Sequence, residues 1–472
     1  MRTRLSVVVM ALMVAAGSAS AQLGKHEKKK PAAPPPAGST PMVPAAPVAA
    51  PPADLTQGPY VVKERGRDVV LRVRLVVNSD SPNDKTYFTD PFTKKTVELP
   101  KITPFKFTSL SVLWPAIPST ASSDQSPGSL TGRLSLNDAV ISDKPTLIDG
   151  YPGGVQFARF DTGNQPQETT CRQVELIVEE PMRVYRTRFD EQAALLVPWP
   201  TGPWPAEAAS IMKPQLFLEA GLDASGAVRP YEDKTITAAM DTWFKEAKLS
   251  DPHGVTPVAL AKILTAKVWG AIQVSGEGRA SKDRTGEFAG LMLNPPSVAL
   301  ENGRANEHEV AALLATILRK AGLPARVVIG WEGGTGDAKF LQKSSTKNQV
   351  RSWVEFCLYD EAKNTINWVP VDPARLRRMG SRPFALERKW NFFGDHDELD
   401  GVLPFAFQFT PPTDVASYGY PAFWGWFATP QPPREAEQAL TFDAATASAS
   451  GDDLRSDKNK KNKAPPEVKR GN

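Results

Sequence analysis

Between Asn306 and Leu376 one helical pattern is followed at short intervals by three strand-like runs, and this series restricts the fold more than any other feature of the chain. The helical stretch is NEHEVAALLATILRKAG, with apolar residues recurring every three to four positions. LPARVVIGW, VRSWVEFCLYD and INWVPVDPARL follow it, each rich in β-branched and aromatic residues. A helix followed directly by strands specifies an α+β layer for this part of the chain.

The rest of the body has a different texture. From residue 57 to about 200, apolar and polar residues alternate in the strand manner, as in Val69–Leu75 and Val174–Val178, with Pro and Gly clusters between the runs. This half is expected to be β-sandwich-like. After PWPTGPWP at Pro198–Pro205 the period changes, and helices are expected at Lys234–Lys248 and Pro257–Ile272 as well as Asn306–Lys320. Roughly 380 residues of body exceed what one hydrophobic core usually organises. Two domains are therefore expected, a β-rich one over 55–205 and an α+β one over 206–430.

Both ends differ from the body. Arg2 and Arg4 precede an apolar run from Leu5 to Gly17 and then Ala19-Ser20-Ala21, which reads as a signal peptide over 1–21 cleaved after Ala21. That run is too short for the roughly 20 residues of a membrane helix, and no later stretch offers one. Position 22 is Gln, so no lipid-anchoring cysteine follows the cleavage point. Residues 22–54 are rich in Pro, Ala and Lys and read as a linker; residues 431–472 read as a disordered tail. The expected location is the periplasm or the exterior of the cell.

Formal net charge is +4, but residues 1–53 and 434–472 together hold +6, which leaves the body at −2. No basic face is implied, so nucleic acid is not an expected partner. The basic run KNKKNK near the C-terminus reads as solvated charge.

The helix–strand series resembles the transglutaminase-like domain, a branch of the papain-like thiol hydrolases. Arg319, Gly322, Leu323, Pro324, Ala325 and Arg326 fit its Arg-x-x-Gly-Ile-Pro-Ala-Arg element. Arg351-Ser352-Trp353-Val354-Glu355 stands where it has His-Ala-Trp-x-Glu, and Trp368, Asp372 and Pro373 match Trp-x-x-x-Asp-Pro. The resemblance implies an active centre in which a cysteine at the helix N-terminus attacks an acyl carbonyl, a histidine shuttles the proton and an aspartate orients the histidine. The helix dipole and the imidazolium would both stabilise the thiolate.

Twelve residues before Arg319, the family spacing, is Glu307, and the histidine position is Arg351; of the three, only Asp372 is of the expected type. The chain has two cysteines, Cys171 and Cys357, and four histidines, His26, His253, His308 and His396, and none falls on the missing positions. Arg does not deprotonate in proteins, and Glu is a poor nucleophile towards amides. The expectation is an ion-paired cluster of Glu307, Arg351 and Asp372 in the old cleft, with Trp353, Glu355 and Trp368 beside it. It acts either as a buried stabilising bridge or as a recognition site for a polar ligand.

Other features carry less. GWEGGTGDAK at Gly330–Lys339 lacks the ending of a phosphate loop. GDHDELD at Gly394–Asp400 lacks the spacing of a calcium loop and reads as a solvated turn. His308 reads as a surface or capping residue, and the aromatic segments after Trp390 read as core packing. No metal and no cofactor is expected, and a Cys171–Cys357 disulfide and the oligomeric state are left open. The expected function is an exported pseudoenzyme that binds or scaffolds a protein or peptide of the bacterial envelope. The alternative is a hydrolase or acyltransferase of envelope peptide or glycan, with Glu307 as acid or base.

Overall fold

Alternation of apolar and polar side chains generates most strands of the N-terminal half. These are β1 (Val61–Asn78), β2 (Ser109–Ala116), β3 (Thr131–Leu136), β4 (Ala139–Ser142), β5 (Gln156–Asp161) and β6 (Gln173–Phe189). The C-terminal half supplies helices α1 (Lys234–Glu246), α2 (Pro257–Ala271), α3 (Glu307–Lys320) and α4 (Pro373–Met379). Its strands are β7 (Ala325–Glu332), β8 (Val350–Asp360), β9 (Thr365–Val371), β10 (Val402–Phe407), β11 (Gly425–Thr429) and β12 (Glu437–Thr446). The computed structural model describes residues 56–446 except 90–92, 103, 165–166, 222–227, 230–232, 277, 281–289, 292, 334–349, 411–422 and 431–436. The signal peptide, the linker and most of the glycine-rich loop lie outside the described residues.

Two sheets make the N-terminal layer pair. One runs β12–β1–β6–β3–β4, and the other runs from Thr146–Ile148 through β5 and β2 to β11. Strands β1 and β6 are antiparallel over nearly their whole length, with Leu75 opposite Leu176 and Val73 opposite Val178. The inward residues of both, such as Leu71, Val73, Leu75, Leu176 and Val178, are fully buried. Phe160 of the second sheet presses onto Gly132 of the first. A Cβ there would stand 2.9 Å from the ring and 2.5 Å from the Ile177 carbonyl oxygen, so only glycine permits the approach.

The third sheet runs from Thr56–Gln57 through β9, β8 and β7 to β10. Every residue of β8 but Tyr359 is buried, and so is every residue of β10, because both faces of this sheet are covered. Helix α3 packs on one face, against β8 and β7. It is apolar almost all round, from Val310 to Leu318, as a helix enclosed on several sides must be. A capping box starts it: the Asn306 side chain accepts from the His308 and Glu309 amides, and the Glu309 carboxylate accepts from the Asn306 amide at 2.7 Å. Gly322, at φ 87°, turns the chain out of the helix towards β7.

The chain does not keep its two halves apart. Thr56–Gln57, ahead of β1, pairs in parallel with Thr365–Ile366 at the edge of the third sheet. Conversely β11 and β12, from the far end of the chain, complete the two N-terminal sheets. Strand β12 lies in the segment that reads as a disordered tail, so this expectation is corrected for Glu437–Thr446. Leu440, Phe442 and Ala444 alternate inward there, a two-residue period carried by one large aromatic among small residues. Among the described residues no helix is long and apolar enough to cross a membrane.

A buried ion pair fastens the third sheet to the N-terminal half. Arg326 donates to Glu355 Oε2 from Nε (3.0 Å) and Nη2 (2.8 Å), and its guanidinium lies 3.9 Å from the Trp368 ring centre and 3.8 Å from that of Phe407. The other Glu355 oxygen accepts from the Ala121 amide at 3.0 Å. Removing one partner of a fully buried pair leaves an uncompensated charge. Arg326→Met should therefore cost about 3–5 kcal/mol; chemical denaturation is the measurement, and a loss below about 1 kcal/mol would mean that the pair is solvated.

Candidate functional site

The mouth of α3 lies where β7 and β9 end and β8 begins, and charged residues from each of these elements meet there. Arg351, the second residue of β8, is 3% exposed, and Asp372, just past the end of β9, is 1% exposed. Arg351 donates from Nε (2.9 Å) and Nη2 (2.6 Å) to Asp372 Oδ2. Asp372 Oδ1 accepts from the Arg375 amide at 2.8 Å, so the same carboxylate is the N-cap of α4.

Two further groups close around the guanidinium. Its Nη2 lies 3.0 Å from His396 Nε2 and its Nη1 lies 3.3 Å from Glu398 Oε2. Glu332, the last residue of β7, stands 4.0 Å from Nη1 and pairs with Arg375 at 2.9 Å; Arg375 also reaches Glu398 at 3.2 Å. An Arg hydrogen is the only proton available in the contact with His396, so Nε2 accepts and the imidazole carries its own hydrogen on Nδ1. Burial lowers the pKa of His396, which keeps it neutral at neutral pH. With Asp372, His396 and Glu398 as acceptors, the guanidinium has almost no donor left to offer a ligand.

Burial alone would raise the Asp372 pKa, but the Arg351 charge outweighs it and holds the carboxyl far below the usual range.

Glu307 is the first residue of α3, but its direct partner is Arg378 of α4, at 3.1 Å, and not Arg351. Burial raises its pKa to about 7, with Arg378 pulling down, Asp372 pushing up and Arg351 pulling down less strongly. The helix dipole, which would favour the carboxylate, is already engaged, because the His308 and Glu309 amides donate to Asn306.

The structure thus brings Arg351 and Asp372 into contact, with Glu307 in electrostatic range but paired elsewhere. Trp353, Glu355 and Trp368, expected beside the cleft, are core residues. Glu355 and Trp368 belong to the Arg326 cluster, and Trp353 packs with Ile117, Val155, Phe157, Val328 and Phe407. His308 is completely buried, with Nδ1 2.8 Å from Ser352 Oγ, contrary to a surface or capping role. Neither cysteine is at the helix mouth. Cys171 faces Phe105 in a two-stranded ribbon, and Cys357 sits opposite Trp368 with its amide bonded to Pro324 beyond the other end of α3. Both are free and buried, and burial pushes the Cys171 thiol up to about 11 and Cys357 higher still.

Glu332, Arg375, Arg378, His396 and Glu398 were not singled out by sequence as members of the site. Arg375 and Arg378 are three and six residues beyond Asp372, and a helix N-capped by Asp372 places their side chains near its mouth. His396 and Glu398 sit in GDHDELD, which is no solvated turn. Asp395 accepts from the Phe189 amide at 2.6 Å, Asp400 pairs with Arg186 at 2.6 Å, and His396 is 1% exposed.

Two expectations follow. Arg351→Met should strand the Asp372 carboxylate and cost about 3–5 kcal/mol in chemical denaturation; an unchanged stability would mean that Asp372 is reached by water. Glu307 holds its proton to about pH 7 in the folded chain and only to about 4.3 unfolded. Its contribution to stability is therefore greatest below about pH 4 and falls as pH rises through 7. The wild-type Tm should decline between pH 5 and pH 8 by more than that of Glu307→Gln, and equal slopes would place Glu307 in solvent.

Residues 277–373 match the family described as the Transglutaminase-like superfamily. No curated protein matches the chain. Among solved structures, a candidate cysteine protease from Cytophaga hutchinsonii aligns at 10% identity and a TM-score of 0.43, over 83% of this chain and 94% of the other. The periplasmic domain of TgpA from Pseudomonas aeruginosa aligns at 12% identity and a TM-score of 0.25, over 71% of this chain and 100% of the other. With α3, β7, β8 and β9 in the order and place that the Arg319–Arg326, Trp353–Glu355 and Trp368–Pro373 elements require, the chain carries a transglutaminase-like α+β domain over residues 277–373.

Proposed function

We propose that this domain is catalytically degenerate and that the protein is an exported binding or scaffolding module, holding a protein or peptide of the bacterial envelope. The observation that carries the loss of chemistry is the state of Arg351. It stands where an acyl-transfer centre needs a proton shuttle, it cannot give up a proton, and Asp372, His396 and Glu398 consume its donors. The position that needs a thiolate holds Glu307, and both thiols of the chain are buried away from it. An intact scaffold with a filled centre favours recognition through surfaces over turnover. The leader-like N-terminus, Arg2 to Ala21, supports the envelope location.

A second reading has one observation in its favour. A carboxyl with a pKa of about 7 is suited to general acid or base work, and Glu307 has one. Under this reading the protein hydrolyses envelope peptide or glycan with Glu307 as the proton-transfer group. It lacks a nucleophile, so water would have to attack directly.

One set of measurements separates the two. The wild-type protein should resist a cysteine-directed electrophile at pH 7 and show no amide or glycoside hydrolysis above that of Glu307→Gln. The double variant E307C/R351H, which restores thiol and imidazole beside Asp372, should be labelled under the same conditions. Labelling of the wild type that stops a measurable amide hydrolysis would overturn the proposal. Hydrolysis lost in Glu307→Gln would establish the second reading.

A further inference from the structure

Glu180, near the middle of β6, is a buried acid that takes no part in the cleft. It is 1% exposed and stands opposite Leu71 of β1. Strand β3 pairs with β6 as far as Glu179, and Ser123–Asp124 pairs with it again from Arg183, so Glu180 sits in the gap between the two. Gln125, just past Asp124, reaches into this gap. Its Nε2 lies 3.3 Å from Glu180 Oε1 and 3.4 Å from the Pro404 carbonyl oxygen of β10. The Pro404 oxygen can only accept, which fixes the amide nitrogen on that side and leaves Gln125 Oε1 as an acceptor.

Among the described residues no cation serves this carboxyl. On β1, Arg72 is paired with Glu179 and Arg67 donates to the Asp400 carbonyl; on β6, Arg183 is paired with Asp68 at 3.7 Å and Arg186 with Asp400 at 2.6 Å. Arg133 of β3 is exposed, and β10 carries no charged residue. Lys63 is paired with Asp124 at 2.6 Å, and Arg326 with Glu355 at 2.8 Å. An ionised Glu180 would be a bare charge with one long amide contact, buried where nothing offsets it. Two oxygens, Glu180 Oε2 and Gln125 Oε1, also lack a donor among the described residues, and both are sealed from solvent. The pair is short of one hydrogen. A proton on Glu180 Oε2 removes the charge and supplies that donor: the acid O–H serves Gln125 Oε1 while the Gln125 N–H keeps Glu180 Oε1, as a carboxylic acid and a primary amide do together. Burial pushes the Glu180 pKa well above the carboxylate range, and no neighbouring charge contributes to that shift.

The contact is tied to the seam between the sheets. The Gln125 amide donates to Ser119 Oγ at 3.2 Å, the Ser119 carbonyl accepts from Arg326 Nη2 at 3.4 Å, and the Ala121 amide donates to Glu355 Oε1 at 3.0 Å. Ser119–Gln125 therefore covers the Arg326–Glu355 pair and is pinned at its far end by Glu180. We propose that Glu180 is a proton-operated latch, whose protonated carboxyl closes on Gln125 and holds Ser119–Gln125 against β6 and β10, and whose ionisation lets that segment lift from the seam. Because the group keeps its proton to a higher pH in the folded chain than in the unfolded one, the latch is closed at low pH and opens as pH rises. None of its groups belongs to the cluster around Arg351, so it operates whatever the cleft does.

Infrared spectroscopy and amide hydrogen exchange on the full chain test this against Glu180→Gln, which supplies the missing N–H donor without a titrating group. At about pH 6, where an ordinary glutamate is ionised, the wild type should show the carbonyl stretch of a buried protonated carboxyl that Glu180→Gln lacks. Between about pH 6 and pH 10, the span that covers raised buried carboxyls, that band should fade. Over the same span the protection of the Ala121 amide, and of the Tyr185 amide bonded to the Ser122 carbonyl, should fall at least threefold after correction for intrinsic exchange. Glu180→Gln should stay level, and Glu307→Gln should behave as the wild type does. Absence of the band at about pH 6, a band that fades with no loss of protection, an equal loss in Glu180→Gln, or a loss abolished by Glu307→Gln would each overturn the proposal. So would a band that persists until the protein unfolds.

Discussion

A single guanidinium holds the mouth of the transglutaminase-like domain together. Arg351 reaches Asp372 at the junction of β9 and α4, and His396 and Glu398 in the segment ahead of β10. Glu332 at the end of β7 completes the ring through Arg375. Burying such a charge costs several kcal/mol, and only a full set of acceptors offsets the cost. The site is therefore all or nothing. The ring closes when β7, β8, β9 and the segment after Trp390 are in place, and without any one of them a charge is left unpaired in a dry environment.

That saturation is what the proposed loss of acyl-transfer chemistry rests on. In a thiol hydrolase the group at this position must exchange a proton with both nucleophile and leaving group, which requires a pKa near neutrality and a free nitrogen. Arg351 has neither. Glu307 has the near-neutral pKa that Arg351 lacks, yet its direct partner is Arg378 of α4. Under the proposed reading the helix mouth keeps an acid, a cation and an acid, Glu307, Arg351 and Asp372, with no group at position 351 that titrates near neutrality.

Much of this was legible in the sequence. The apolar period of α3, the twelve-residue spacing back from Arg319 and the Trp-x-Glu and Asp-Pro elements placed Glu307, Arg351 and Asp372 around one helix mouth. The strand alternation of β1 and β6 was equally plain. Three things were hidden, each for a physical reason. The partner of Glu307 is set by the direction in which α4 leaves Asp372, which no local pattern encodes. His396 and Glu398 lie in a run of acids whose composition is that of a solvated turn, and only the buried Arg351 and the half-buried Arg186 make it an inner layer. Strand β12 carries small residues that look like linker, and its pairing with β1 bridges more than 350 positions of sequence.

The long-range pairings bear on how the protein can be divided. A cut near Pro205 would separate β11 and β12 from the sheets they complete, and Thr56–Gln57 from the edge of β9. It would also strip Arg326 and Glu355 of the Ser119–Ala121 loop that covers them, leaving a buried pair open to water on one side. The change of texture at PWPTGPWP is therefore a change of secondary structure within one compact body, whose sheets share strands from both ends of the described residues. Phe442 of β12 also stacks on Trp331 of β7 and on Phe405 of β10, so a strand that completes an N-terminal sheet packs against the third sheet as well.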